Sequence, residues 1–241
     1  MTRARVRALA MLAVVLIGAA VAFGVLGREE RTLPARPIDE RPNLLLLTSL
    51  PLIFGEQFSL EGGGSPALAA LETRYRVLPI SITDPASLAK GRLLLMAHPA
   101  AQPAEDLVAL DTWVRHGGRV LLLADPMLEW PSARPLGDPL RPSPMFMDTG
   151  LIAHWGLRLD APDRRGRERR ELAGYDVLTE SPGSLAGSCR IGSDGLVANC
   201  PIGKGRATVI ADADFLDAKR LGESARHNLD ALLVELAELE R

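Results

Sequence analysis

Residues 110–126 read LDTWVRHGGRVLLLADP. Leu107, Leu110 and Val114 fall at helical spacing, Gly117-Gly118 ends that helix, and residues 119–124 follow as a run with no polar alternation. A strand that is apolar at nearly every position is buried on both faces, the mark of a parallel sheet covered by helices. Working outward, residues 44–48 and 93–97 are further continuous apolar strands, 77–82 reads as the strand between them, and 208–211 as a later core strand. Ser65-Pro66 starts a helix, with serine as cap and proline pre-set for the first turn. Pro103 opens another, whose first turn carries Glu105 and Asp106 against the positive end of the helix dipole. Residues 228–239 place Leu229, Leu232, Leu233 and Leu236 on one side of a final helix. The expected fold class is α/β, a mostly parallel, doubly wound sheet with a small β-hairpin insertion.

Residues 8–27, ALAMLAVVLIGAAVAFGVLG, carry no charge and follow a basic stretch with Arg3, Arg5 and Arg7. At 1.5 Å per residue about 20 such residues span a hydrocarbon core of about 30 Å. The expected organisation is a basic cytoplasmic end (1–7), a transmembrane helix or signal peptide (8–27), a tether (28–42) and an exported α/β domain (43–241). The positive-inside rule then places a single-pass protein in the inner membrane, its N-terminus in the cytoplasm and its domain in the periplasm. Ala20-Val21-Ala22 is an acceptable cleavage site, which gives the alternative of a domain secreted to the periplasm.

A net charge of -2 argues against a general polyanion binder, and 4% aromatic content against a stacking platform for single-stranded nucleic acid. The two cysteines sit in CRIGSDGLVANC. Asp194-Gly195 is a two-residue hairpin signal, and pairing outward from it sets Ser193 opposite Leu196, Ile191 opposite Ala198 and Cys189 opposite Cys200. A disulfide between Cys189 and Cys200 is expected, in a hydrogen-bonded pair unless a bulge or longer loop intervenes. Two thiols without a neighbouring histidine disfavour zinc.

In an open parallel sheet, ligands bind beyond the carboxyl ends of the strands. Those ends carry Thr48-Ser49, His98-Pro99, Asp125-Pro126 and Asp212 with Asp214. His98, Asp125, Asp212 and Asp214 are the candidate ligand site, able in principle to form an oxygen-rich metal site or an acid/base pair. The bland alternative is that the aspartates cap turns and His98 merely precedes a proline. Residues 126–144 contain six prolines, too many for an element interior; Met127, Leu128 and Trp130 make this loop a candidate docking surface. Gly62-Gly63-Gly64 before a helix N-terminus could cradle an anion, but it lacks the Gly-Lys-Ser/Thr ending of a phosphate loop and reads as a flexible connector, and no cofactor is expected. Arg164, Arg165, Arg167, Arg169 and Arg170 are interleaved with Asp163, Glu168 and Glu171 and read as a solvated loop.

LDTWVRHGGRVLLLADP resembles the core of the glutamine-amidotransferase-like, flavodoxin-like superfold as it occurs in noncatalytic bacterial envelope proteins. The later GKGRATVIADADFLD, residues 203–217, is similar to the ending of GldG-like ABC-transporter auxiliary domains. In catalytic members a cysteine nucleophile sits on the turn after the strand that here ends at Ala124; this chain has Asp125-Pro126 instead. The resemblance implies a noncatalytic binding or accessory subunit with partners at the inner membrane, among transporter or other envelope proteins. The alternative is an exported metal-dependent hydrolase using the strand-end carboxylates.

Overall fold

A computed structural model describes residues 32–55, 64–192 and 194–241. Strands β1 (Asn43–Thr48), β2 (Arg76–Pro79), β3 (Leu93–Ala97), β4 (Arg119–Leu123) and β11 (Gly205–Ile210) lie side by side in the order β2-β1-β3-β4-β11, each parallel to its neighbours. Alternate residues of these strands feed two separate cores. Leu44, Leu46, Leu95, Leu121 and Leu123 pack with helices α1 (Pro66–Glu72) and α6 (Asn228–Leu239). Leu45, Leu94, Met96, Val120 and Leu122 pack on the other face with Leu110 and Val114 of helix α3 (Ala104–Arg115). Burial on both faces explains why these strands show no polar alternation. Ser65 caps α1 by accepting the Leu68 N–H at 3.1 Å, and Asp84 likewise caps the short helix α2 (Pro85–Leu88).

The expected mostly parallel sheet with a hairpin insertion is corrected by the topology. β10 (Val197–Ile202) runs antiparallel to β11, and β9 (Arg190–Ile191) antiparallel to β10, so the sheet has seven strands and is mixed, with the cysteine hairpin as its edge. Gly203 provides the reason. Its φ of +59° allows a reversal between the paired residues Ile202 and Gly205, so the chain returns without the long crossover that a parallel neighbour needs. A Cβ on Gly205 would lie 2.1 Å from the Gly118 carbonyl oxygen, which reserves that strand start for glycine.

Two further antiparallel ladders flank the sheet, β5 (Leu157–Asp160) with β8 (Ser184–Gly187) and β6 (Arg167–Leu172) with β7 (Tyr175–Glu180). The arginine-rich segment read as a solvated loop therefore contains a strand. Its charges are neutralised locally, Arg169 by Asp176 at 2.8 Å and Arg170 by Glu168 at 3.0 Å. The region of the six prolines has no helix or strand between β4 and helix α4 (Leu151–His154).

The location expected from residues 8–27 is also corrected. That stretch lies outside the described residues, and among the described residues no helix is long and apolar enough to cross a membrane, so single-pass anchoring in the inner membrane has no structural support. The compact unit of described residues is Leu33–Arg241.

Cys189 and Cys200 form a disulfide with a Cα–Cα distance of 4.8 Å. Ile191 pairs with Ala198, while the Gly192 N–H donates to the Val197 carbonyl at 2.8 Å. That hydrogen bond puts the ladder one residue out of phase with a two-residue turn and places Ile191–Ala198 at a non-hydrogen-bonded pair, where side chains stand closer. The expected Ser193–Leu196 pair lies outside the described residues. The bridge closes a sequence separation of 11 residues. Reduction, or Cys189→Ala with Cys200→Ala, is expected to cost about 3 kcal/mol, read as a lower denaturation midpoint; an unchanged midpoint would show that the edge hairpin does not contribute to global stability.

Candidate functional site

β4 and β11 are adjacent and parallel, so their carboxyl ends bring Asp125 together with Asp212 and Asp214. All three side chains are fully buried. Each is occupied by the protein's own backbone. Asp125 Oδ2 accepts the N–H of Ala213 at 2.9 Å and of Asp214 at 3.4 Å, and its Oδ1 accepts that of Met127 at 2.8 Å. Asp212 Oδ1 accepts the Phe215 N–H at 2.8 Å and Oδ2 the Glu180 N–H at 3.1 Å. Asp214 Oδ2 accepts the Glu129 N–H at 2.6 Å, and its Oδ1 takes a guanidinium hydrogen bond from Arg220 at 3.2 Å. Among the described residues no group of three or more His, Cys, Asp or Glu side chains is arranged to hold a metal ion.

His98 does not join the aspartates. It is fully buried after β3, in a left-handed backbone conformation with φ +45°, and its ring Nε2 lies 2.9 Å from the Ser143 carbonyl oxygen. A carbonyl only accepts, so Nε2 carries the proton. Nδ1 is then an acceptor, and it is buried without a hydrogen-bond partner. The ring edge packs on Phe146, so His98 pins the proline-rich loop to the sheet. Thr48 and Ser49 also serve the backbone, donating to the carbonyls of Ala97 and His98 at 2.8 and 2.5 Å.

Burial dominates the electrostatics. It pushes Asp125 up to about 6 and, together with the Asp125 charge, raises Asp214 to about 7. Asp212 is raised well above 3.8, by burial first and then by the charges of Asp125 and Asp214. His98 is held down to about 4 by burial, so its ring is neutral at pH 7. A general acid or base must reach a substrate, and a metal ligand must offer lone pairs. These carboxylates instead act as staples between strand ends.

Several partners in this network gave no isolated motif. Arg220 bridges Glu180 at 2.8 Å, Asp214 at 3.2 Å and Asp217 at 3.3 Å. Ser181 donates to Glu129 at 2.8 Å. Asn228, buried at the start of α6, accepts the Leu178 N–H and donates to the carbonyls of Leu178 and Phe215. Only Asp217-Ala-Lys-Arg220 carried a local signal, since Asp217 caps the short helix α5 (Ala218–Leu221) by accepting the Arg220 N–H.

The docking residues are divided between core and surface. Met127, Leu128 and Trp130 are half-buried, and Leu128 and Trp130 pack against the main core. Together with Pro126, Arg141 and Arg165 they line a cavity of about 590 Å³. Exposed apolar side chains lie on residues that sequence reasoning did not single out: Met145, about half exposed, lines the same cavity, Phe54 (80% exposed) and Leu140 (69%) line a separate one of about 280 Å³ with Thr48 and Ser49, and Leu136 is 83% exposed in the proline-rich loop.

Asp212→Ala would leave two buried amides, those of Phe215 and Glu180, without an acceptor; at about 1–3 kcal/mol each this is expected to be strongly destabilising in denaturant titration. Sign follows from the raised carboxyl values. Because folded Asp214 binds its proton more tightly than the unfolded residue, its contribution is fully present below about 3.8 and is lost as pH rises through about 7. His98 works the other way, its contribution being complete above about 6.5. Between about pH 6.5 and 8 the protein is therefore expected to lose stability, and Asp214→Asn to make that decline shallower; an identical slope in the variant would contradict the role of burial.

No family model matches the sequence, and no curated protein does. Solved structures share its fold. The exo-β-1,4-mannosidase Op5Man5 from Opitutaceae bacterium strain TAV5 superposes with a TM-score of 0.51 at 11% identity, over 83% of this chain and 36% of the mannosidase chain. The chain thus spans about a third of that enzyme. The N-terminal domain of mmIFT52 superposes with a TM-score of 0.54 at 12% identity, over 82% of this chain and 97% of that domain. Neither is named as a GldG-like or amidotransferase-like protein, and that assignment of the fold is corrected to an open mixed α/β sheet, shared with part of the mannosidase and with the IFT52 domain. At these identities the likeness extends to fold alone.

Proposed function

We propose that this chain is a noncatalytic binding subunit that receives a protein segment on the rim at the carboxyl ends of its strands. One observation carries the reading: Asp125, Asp212 and Asp214 are buried and hydrogen-bonded to backbone, while the exposed Phe54 and Leu140 share a cavity of about 280 Å³ beyond the end of β1. Isolated exposed apolar residues are ordinary, but several on one rim beside a cavity mark a recognition surface. Arg141 and Arg165 line the cavity of about 590 Å³ against one carboxylate, Glu129, which leaves a net positive charge there. That charge favours an apolar segment flanked by Asp or Glu. For the hydrolase alternative, Asp125, Asp212 and Asp214 offer no carboxylate that solvent reaches. The glycosidase likeness is one of fold at 11% identity and supplies no active-site residue.

Selection of a random peptide library on the full chain tests this directly. Enriched peptides are expected to place an aromatic or aliphatic residue next to an acidic one, and Leu140→Glu or Arg165→Glu to weaken their binding by about tenfold or more without lowering the melting temperature. Absence of enrichment, or binding indifferent to both substitutions, would overturn the proposal.

A further inference from the structure

The opposite end of the sheet carries a second cavity. It measures about 620 Å³ and lies at the amino ends of β1, β3 and β4, lined by Asn43, Lys90, Arg92, Gly117, Arg119 and Glu240. Three cationic residues therefore border one space. The single acidic side chain among them is already neutralised, because Arg36 binds Glu240 Oε1 at 2.9 Å and Oε2 at 2.5 Å. Among the described residues Lys90 and Arg92 form no salt bridge, and both are exposed.

The walls are held in place by the fold. Asn43 Nδ2 donates to the Lys90 carbonyl at 2.8 Å, which ties the turn bearing Lys90 to the start of β1. The Arg92 carbonyl accepts the Arg119 N–H at 3.0 Å, which sets the two arginine backbones side by side across β3 and β4. Arg119 is anchored at one guanidinium nitrogen by the carbonyl of Glu240, near the end of α6. The Arg119 side chain, fixed in this way, loses little freedom when a ligand arrives.

From this arrangement we infer that the amino-end cleft is a binding site for a phosphate-bearing ligand. Two guanidinium groups match the geometry of phosphate oxygens and the ammonium supplies a third positive charge, whereas a lone carboxylate would leave most of that charge uncompensated. The volume falls within the roughly 300–1,000 Å³ range of small-molecule sites. This site shares none of its lining residues with the rim cavity and does not depend on the function proposed for that rim.

The test is calorimetric titration of the full chain with inorganic pyrophosphate at low salt, alongside sedimentation with phosphatidylcholine vesicles with and without phosphatidylglycerol. Saturable pyrophosphate binding is expected, weakened by about tenfold or more in Lys90→Ala/Arg92→Ala and again in Arg92→Glu, with melting temperatures unchanged. Vesicle binding that needs phosphatidylglycerol and is displaced by pyrophosphate would identify a lipid headgroup as the phosphate source; pyrophosphate binding alone would identify a soluble one. Absence of saturable binding to either probe, or equal affinity in both variants, would overturn the inference.

Discussion

The structure depends on how the chain leaves β4 and β11. These neighbouring strands end at the same level deep in the sheet, and the backbone amides that follow have no strand to pair with. Asp125 and Asp212 supply the missing acceptors, binding the amides of Met127, Ala213, Asp214 and Phe215, and Asp212 also takes the Glu180 amide at the end of β7. A buried amide without an acceptor costs about 1–3 kcal/mol, so these contacts outweigh any single surface ion pair. The cost on the other side is desolvation, which raises the affinity of these carboxyls for protons. Hydrogen bonding from several N–H groups holds the side chains in place despite that cost.

This constraint divides the two ends of the sheet. At the carboxyl end Asp125, Asp212 and Asp214 are turned inward, leaving a rim cavity bordered by Arg141 and Arg165 with Glu129 as its acidic residue. At the amino end the cationic side chains Lys90 and Arg92 stand outward and unneutralised by Glu240, which Arg36 occupies. A strand-end position that would suit catalysis in an open α/β sheet is here committed to holding two strands and a loop together.

The sequence discloses features with one dominant local cause. Leu44, Leu95 and Leu121 announce two-sided burial, and Ser65-Pro66 announces a capped helix start, because each signal is complete within a few residues. The antiparallel edge was not legible, since Gly203 acts through a positive φ and Gly205 through contact with the Gly118 carbonyl, neither of which periodicity records. The disulfide was legible as a pairing, but its ladder phase depended on the Gly192–Val197 hydrogen bond. Strand β6 was hidden because its arginines pair with Asp176 and Glu168 on an exposed ladder that buries little. For the candidate site, strand order was enough to bring Asp125 to Asp212 and Asp214. Their role was not, because a buried carboxylate serving amides and an accessible one serving chemistry look identical in one dimension. His98 was grouped with them by strand-end position, yet its ring turns to Ser143 and Phe146.

Native-state hydrogen exchange of the amides of Met127, Glu180, Ala213 and Phe215, with and without divalent metal ions, addresses the stapling role most directly. The expected result is protection comparable to that of the central amides of β4, unchanged by metal, with opening only through global unfolding. Rapid exchange at these amides, or protection that metal binding alters, would contradict the assignment of Asp125 and Asp212 as structural acceptors and return them to the pool of functional carboxylates.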